Sequence, residues 1–95
     1  MIIQIVKFES ALSEKEVMAT AKERAPQFQA IPGLVQKYYA KLGRPNQYAG
    51  IYLWESMESL NSYLDSDLAA SIPDAYKVKG QPTVDILDTV FQLRE

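Results

Sequence analysis

Gln47-Tyr48-Ala49-Gly50-Ile51-Tyr52-Leu53-Trp54 is apolar over nearly its whole length. Successive side chains of a strand point to opposite sides of its sheet, and here both sides are apolar. The stretch therefore predicts a central strand, covered on both faces. Alternation places Gly50, Tyr52 and Trp54 on one face and Ile51 and Leu53 on the other. Immediately before it, Gly43-Arg44-Pro45-Asn46 has the composition of a turn. That turn predicts a hairpin with a preceding strand over Leu34 to Leu42. In this partner strand Leu34, Gln36, Tyr38, Ala40 and Leu42 share one side. Val35, Lys37, Tyr39 and Lys41 share the other. Ile31-Pro32-Gly33 supplies the stop and turn that open it.

Further out, Ile2 to Phe8 reads as a first strand, with Ile3 and Ile5 on one face and Ile2, Val6 and Phe8 on the other. Ser13-Glu14-Lys15-Glu16 matches a capping box, in which Ser13 caps a helix and Glu16 reaches back to the cap amide. The helix runs to about Gln27 or Phe28 and gathers Val17, Ala21, Ala25 and Phe28 on one stripe, with Pro26 disturbing its last turn. Ser56 caps a second helix whose stripe is Leu60, Tyr63, Leu64 and Leu68. Pro73 ends any continuation, Asp74 to Pro82 reads as a loop, and Thr83 to Leu93 reads as the last strand. There is no internal repeat and no low-complexity segment.

The order strand, helix, strand, strand, helix, strand is the ferredoxin-like α+β arrangement. Right-handed crossovers put both helices on one face of a four-stranded antiparallel sheet. The other face should then be polar, yet the first, third and last strands carry large apolar residues on both sides. Monomers rarely expose an apolar patch beyond about a few hundred Å². Two sheets meeting across a two-fold axis would bury it, so a homodimer is expected. A loop over Asp74 to Pro82 could cover the face instead, but it is too short.

Composition excludes more than it suggests. Ninety-five residues make one domain, 1–95. The net charge of −2 comes from scattered charges with no basic stripe. Neither nucleic acid nor a membrane surface is an expected partner. Histidine and cysteine are both absent. That removes the commonest general base, the Ser-His-Asp and Cys-His arrangements, disulfides and the usual zinc and haem ligands. Asp65 and Asp67 read as a solvated helix end rather than metal ligands. The start of the chain lacks the basic residues and long apolar run of a signal peptide. With no cysteine, this fits a cytoplasmic protein.

The block Ile31-Pro32-Gly33-Leu34-Val35-Gln36-Lys37-Tyr38-Tyr39, continued by Gly50-Ile51-Tyr52-Leu53-Trp54, resembles the dimeric α+β barrel superfamily. Within it the chain is similar to the small proteins described as monooxygenases of the YdhR type, akin to antibiotic biosynthesis monooxygenases. These share a Pro-Gly turn before the second strand and a Gly-Ile-Tyr-Leu-aromatic third strand. The resemblance implies a cofactor-independent oxygenase of a phenolic or polycyclic aromatic molecule, needing neither metal nor flavin. A phenolic substrate loses a proton and the resulting anion reacts with O₂. The protein supplies an apolar pocket, a proton acceptor and an oxyanion donor. Haem-degrading relatives look to a histidine for iron, and this sequence has none.

Several residues fit such a pocket, each with a plainer alternative. Tyr52 and Trp54 could form its wall, with Gly50 making room for a flat ligand, or pack the core or a dimer seam. Tyr38 and Tyr39 point to opposite faces, so at most one lines a given pocket. Tyr63 could reach between helix and sheet, though its spacing with Leu60 and Leu64 is that of core. Arg44 could clamp an anion or be a solvated turn charge. Asp85 interrupts an apolar strand, and an edge position facing water explains it equally. Lys37 in an alternating strand points to water or an interface rim. Tyr76 could belong to a lid or anchor a turn. A substrate-binding set of Trp54, Tyr52, Tyr38, Tyr63 and Arg44 is expected. A different class of reading is a non-catalytic small-molecule-binding or stress-associated module of the same fold. An isomerase or lyase would need an acid–base pair, and only Asp85 with a tyrosine offers one.

Overall fold

The computed structural model describes residues 1–94, and Glu95, the end of the expected domain, lies outside them. Strand β1 covers Ile2–Ser10, helix α1 Glu14–Gln29, strand β2 Leu34–Lys41 and strand β3 Gln47–Trp54. Helix α2 follows at Met57–Leu64, then two short helices, α3 at Asp67–Ala70 and α4 at Ile72–Ala75, and finally strand β4 at Val78–Asp88. The strands form one antiparallel sheet in the order β2-β3-β1-β4. This is the expected ferredoxin-like α+β architecture, with β3 and β1 in the centre.

Local chemistry sets the element boundaries. Ser13 Oγ accepts from the Glu16 amide at 3.2 Å, and Glu16 Oε1 accepts from the Ser13 amide at 3.0 Å. This completes the capping box at the start of α1. Pro26 sits inside α1 without ending it, and the helix continues to Gln29. Ser56 Oγ accepts from the Ser59 amide at 3.2 Å and opens α2. Gly33 has φ +81°, and a Cβ there would collide with the Ser59 side chain. The turn before β2 thus needs glycine both for its left-handed backbone and for its closeness to α2.

Three expectations need correction. First, β2 is not a simple alternating strand. A register shift between Leu34 and Gln36 pairs Leu34 with Trp54 and Lys37 with Tyr52. Leu34, Lys37, Tyr39 and Lys41 therefore share the helix-covered face, while Gln36, Tyr38 and Ala40 lie on the other. Second, the stretch after Pro73 is not a loop. Proline is tolerated in the first turn of a helix, where its missing N–H has no partner to lose, and Pro73 is the second residue of α4 in this way. Third, the last strand is Val78–Asp88 rather than Thr83 to Leu93. Lys79 pairs with Glu9 and Thr83 with Lys7, so Gly80, Gln81 and Pro82 bulge opposite Phe8. An edge strand accommodates such a bulge and its proline. The strand ends where its partner ends: the Thr89 amide and hydroxyl both donate to the Met1 carbonyl, at 3.1 and 2.8 Å.

The core occupies one face of the sheet. Ile2, Tyr52 and Trp54 pack against Phe28 of α1 and against Leu60 and Tyr63 of α2. Toward the other end, Val17 and Ala21 of α1 pack with Tyr48 and Tyr76. Ile3, Ile5, Ile51, Leu53, Tyr38 and Leu87 occupy the opposite, helix-free face by register. Tyr38 there is 54% exposed. Among the described residues no helix is long and apolar enough to cross a membrane.

Candidate functional site

A cavity of about 500 Å³ lies between the helix-covered face of the sheet and the helices. Gln4 and Val6 of β1, Gly50 and Tyr52 of β3, and Val84 of β4 form much of its floor. Val17 and Ala21 of α1, Tyr63 of α2, Ile72 and Pro73 of α4, and Tyr76 close over it. The lining is mostly apolar, with a few polar groups set into it. Such a cleft is the usual setting for a small-molecule site.

Lys37 and Tyr39 reach this cavity from β2 because the hairpin register pairs them with Tyr52 and Gly50. The Lys37 Nζ stands 3.5 Å from the centre of the Phe28 ring, 4.4 Å from that of Tyr39 and 4.6 Å from that of Tyr52. Among the described residues no carboxylate pairs with it; the chain's one ion pair there joins Lys41 Nζ to Glu14 at 3.1 Å on the rim. Opposing effects act at this amine. The ring faces attract an ammonium, by about 2 kcal/mol at a desolvated site. Removal from water disfavours it, and the Arg24 guanidinium repels it. Burial is the larger effect and pulls the Lys37 ammonium down to about 7. Near neutral pH the side chain is thus divided between ammonium and free amine.

The tyrosines of the cavity are shifted the other way. Burial pushes the Tyr52 hydroxyl up, with the Tyr63 hydroxyl beside it adding to the effect. Burial likewise raises Tyr63 and Tyr39. Tyr76 is pushed up to about 12, again chiefly by burial. These hydroxyls stay protonated at neutral pH and serve as hydrogen-bond donors, not bases. Tyr76 packs its ring on Phe8, centroids 5.6 Å apart, and its buried hydroxyl has no partner among the described residues. Arg24 donates to Ser71 Oγ at 2.5 Å, while its Nε is also buried without a partner among the described residues.

Of the residues expected to bind substrate, the fold brings Tyr52 and Tyr63 together on the cavity wall, their rings 5.7 Å apart. Trp54 stands behind them. It is fully buried, stacks on Tyr52 at 6.1 Å, and does not line the cavity. Tyr38 projects from the helix-free face, and Arg44 is exposed in the hairpin turn. The room expected over Gly50 is taken by Tyr52, whose Cε1 lies 3.1 Å from where a Gly50 Cβ would be. Asp85 pairs with Ile5 on the helix-free side. Alternation grouped Lys37 correctly with Tyr39 and Lys41 and misplaced Leu34; what it did not give was that the Lys37 side is the helix-covered one rather than one facing water or a rim. Counting back from the Gly43–Asn46 turn would have found it, since pairing Leu42 with Gln47 brings Lys37 opposite Tyr52. No sequence signal marked Arg24. Among the described residues no group of three or more acidic side chains is arranged to hold a metal ion.

Residues 2–91 match the family described as "Putative mono-oxygenase ydhR". The chain belongs to this family. Among curated proteins no match was found. Solved structures with the same fold include SnoaB from Streptomyces nogalater, a cofactor-independent oxygenase. It is 16% identical, with a TM-score of 0.79 over 99% of this chain and 97% of that one. A protein of unknown function from Nitrosomonas europaea has a TM-score of 0.79 at 14% identity, over 99% of this chain and 93% of that one. A "putative antibiotic biosynthesis monooxygenase" from Deinococcus radiodurans has a TM-score of 0.76 at 11% identity, over 100% and 98% of the two chains. At these identities the likeness is one of fold. The ydhR-family chain thus shares the architecture of the antibiotic biosynthesis monooxygenases.

Proposed function

We propose that this ydhR-family chain, as a single domain and a homodimer, is a cofactor-independent monooxygenase of a phenolic or polycyclic aromatic molecule. The observation that carries the reading is the Lys37 amine, held in an apolar cavity among Phe28, Tyr39 and Tyr52 with no carboxylate partner among the described residues. The chemistry needs a base of moderate strength beside a flat apolar ligand, and an amine titrating near 7 has that strength. The free amine takes the proton of an anthrone or phenol. The resulting ammonium then faces the enolate or phenolate, and a tyrosine hydroxyl such as that of Tyr76 donates to its oxygen. The anion reduces O₂ directly. For an anthrone, one oxygen atom becomes the new carbonyl and the other leaves as water with the two hydrogens of the methylene carbon.

Family membership and the likeness to SnoaB support this reading, as does the cavity's mainly apolar lining. The homodimer rests on the helix-free face, where Ile3, Ile5, Ile51 and Leu53 form an apolar centre. A cytoplasmic location accords with the lack of cysteine.

The test is oxygen uptake with anthrone- and quinol-type substrates, without added metal or flavin. Lys37→Met should lower turnover by about 10²–10⁴-fold, the usual scale of a general base. Folded wild-type protein that quenches Trp54 emission on ligand addition yet consumes no oxygen across such a panel would be a binding module, and the catalytic reading would fall.

A further inference from the structure

We propose that Lys37 also captures carbonyl compounds, condensing through its side-chain nitrogen with aromatic aldehydes that enter the cavity. This activity goes beyond oxygenation and needs none of its steps.

Three features of the geometry carry it. The nitrogen borders an apolar cavity of about 500 Å³, room for a bicyclic aromatic molecule. It is ringed by aromatic faces rather than tied to an acid, so no ion pair must break before its lone pair becomes available. It is also singled out by position: Lys7, Lys15, Lys22, Lys41, Lys77 and Lys79 are all exposed, and Lys37 alone is drawn inward. A lysine desolvated in an apolar pocket and beside a second cation is the arrangement that makes amines nucleophilic near neutral pH. Here the second cation is Arg24, and the shift of Lys37 to about 7 accords with the placement. The other titratable groups around it are Tyr39 on its own strand, Tyr52 from β3, Tyr63 from α2 and Tyr76 after α4. All are shifted upward and stay neutral. The carboxylate on the rim, Glu14, is held by Lys41.

The chemistry balances without an oxidant. The nitrogen lone pair forms a bond to the carbonyl carbon, and the C=O π pair moves to oxygen, which takes up a proton. The carbinolamine then loses that oxygen as water, nitrogen gives up its remaining proton, and a neutral imine is left. The apolar surroundings favour this uncharged product over a protonated amine.

The experiment uses the full chain, 2-naphthaldehyde as probe and borohydride to reduce the imine, with the modified residue located by peptide mass mapping. One naphthylmethyl group is expected on Lys37 at neutral pH, at least about tenfold faster than on any exposed lysine. The rate should rise as the pH passes through about 7. 2-Methylnaphthalene, which fills the cavity but has no carbonyl, should slow labelling of Lys37 and leave the exposed lysines unaffected. Lys37→Arg keeps a cation at the position and should lose this label. The proposal is overturned if label spreads over the exposed lysines without preference for Lys37, or if 2-methylnaphthalene gives no protection. Both results are read on the wild-type chain, so they decide the matter whether or not the variant folds. Oxygen uptake plays no part in the assay, so its outcome stands apart from that of the oxygenase reading.

Discussion

The indole Nε1 of Trp54 donates to Oε1 of Gln4 at 3.0 Å, across the two central strands and sealed from water. Gln4 is 2% exposed and Trp54 not exposed at all. A buried donor deprived of its acceptor bears its full desolvation cost. Gln4→Met should therefore lower stability by about 1–3 kcal/mol, although methionine is the more apolar residue. Urea unfolding followed by Trp54 emission measures this, and an unchanged midpoint would contradict it.

Lys37 makes stability depend on pH in a defined direction. Its folded-state value is about 7 against an ordinary 10.5, so between these limits the unfolded chain binds more protons at this site. The site's cost to folding is full below about pH 7, shrinks as the pH rises, and vanishes above about pH 10. Lys37→Met should thus be stabilising, most clearly at pH 6 and least at pH 10. The buried tyrosines act oppositely at high pH, because their raised values oppose ionisation in the folded state. The difference between wild type and variant removes their contribution. Parallel stability curves across pH 6 to 10 would show that the amine is not desolvated.

Gly33 joins α1 to β2 and faces α2. Gly33→Ala forces a side chain into the left-handed region, at about 1–2 kcal/mol, and drives its Cβ into Ser59. A loss of at least about 2 kcal/mol is expected by denaturant unfolding. The double variant Gly33→Ala with Ser59→Gly should recover the steric part and not the backbone part.

The helix-free face gives the simplest assembly test. Ile51 sits at its centre, paired with Ile5 on one side and Tyr38 on the other. Ile51→Glu should convert a dimer into a monomer by light scattering at micromolar concentration while far-ultraviolet circular dichroism stays native. Wild-type protein that is already monomeric under these conditions would remove the homodimer.

How far the sequence could be read depended on whether the governing signal was local. Strand β3 was fully legible, ends included, because it is apolar on both faces and bounded by turn and cap residues. The capping boundaries of α1 and α2 were equally plain. Alternation failed in β2 because it assumes an unbroken count, and the shift at Leu34 and Gln36 breaks it. That break misplaced Leu34; Lys37 was grouped correctly with Tyr39 and Lys41, and only the pairing with Tyr52 across the hairpin shows that their side is the covered one. Pro73 and Pro82 read as breakers, yet one sits in the first turn of a helix and the other in a bulge on an edge strand. Tyr52 and Tyr63 stand on the cavity wall although the spacing of Tyr63 read as core, and nothing in the spacing separated Trp54, two residues on from Tyr52 on the same face, as a residue behind it. Arg24 and Tyr76 enter the site through packing between elements, which no single segment encodes.

The irregularity in β2 acts as a parity device. The Pro-Gly turn and Trp54 demand that Leu34 face inward, and the hairpin demands the same of Lys37, three residues later. An uninterrupted strand can satisfy only one of these odd-spaced demands. Closing the bulge by deleting one residue would force a choice between the apolar anchor at the strand's start and the amine in its middle. A chain that keeps the irregularity can alter position 37, and with it the reactivity of the cavity, without touching the contact that fixes the sheet to its helices. A single inserted residue thus lets the scaffold and the chemistry vary independently.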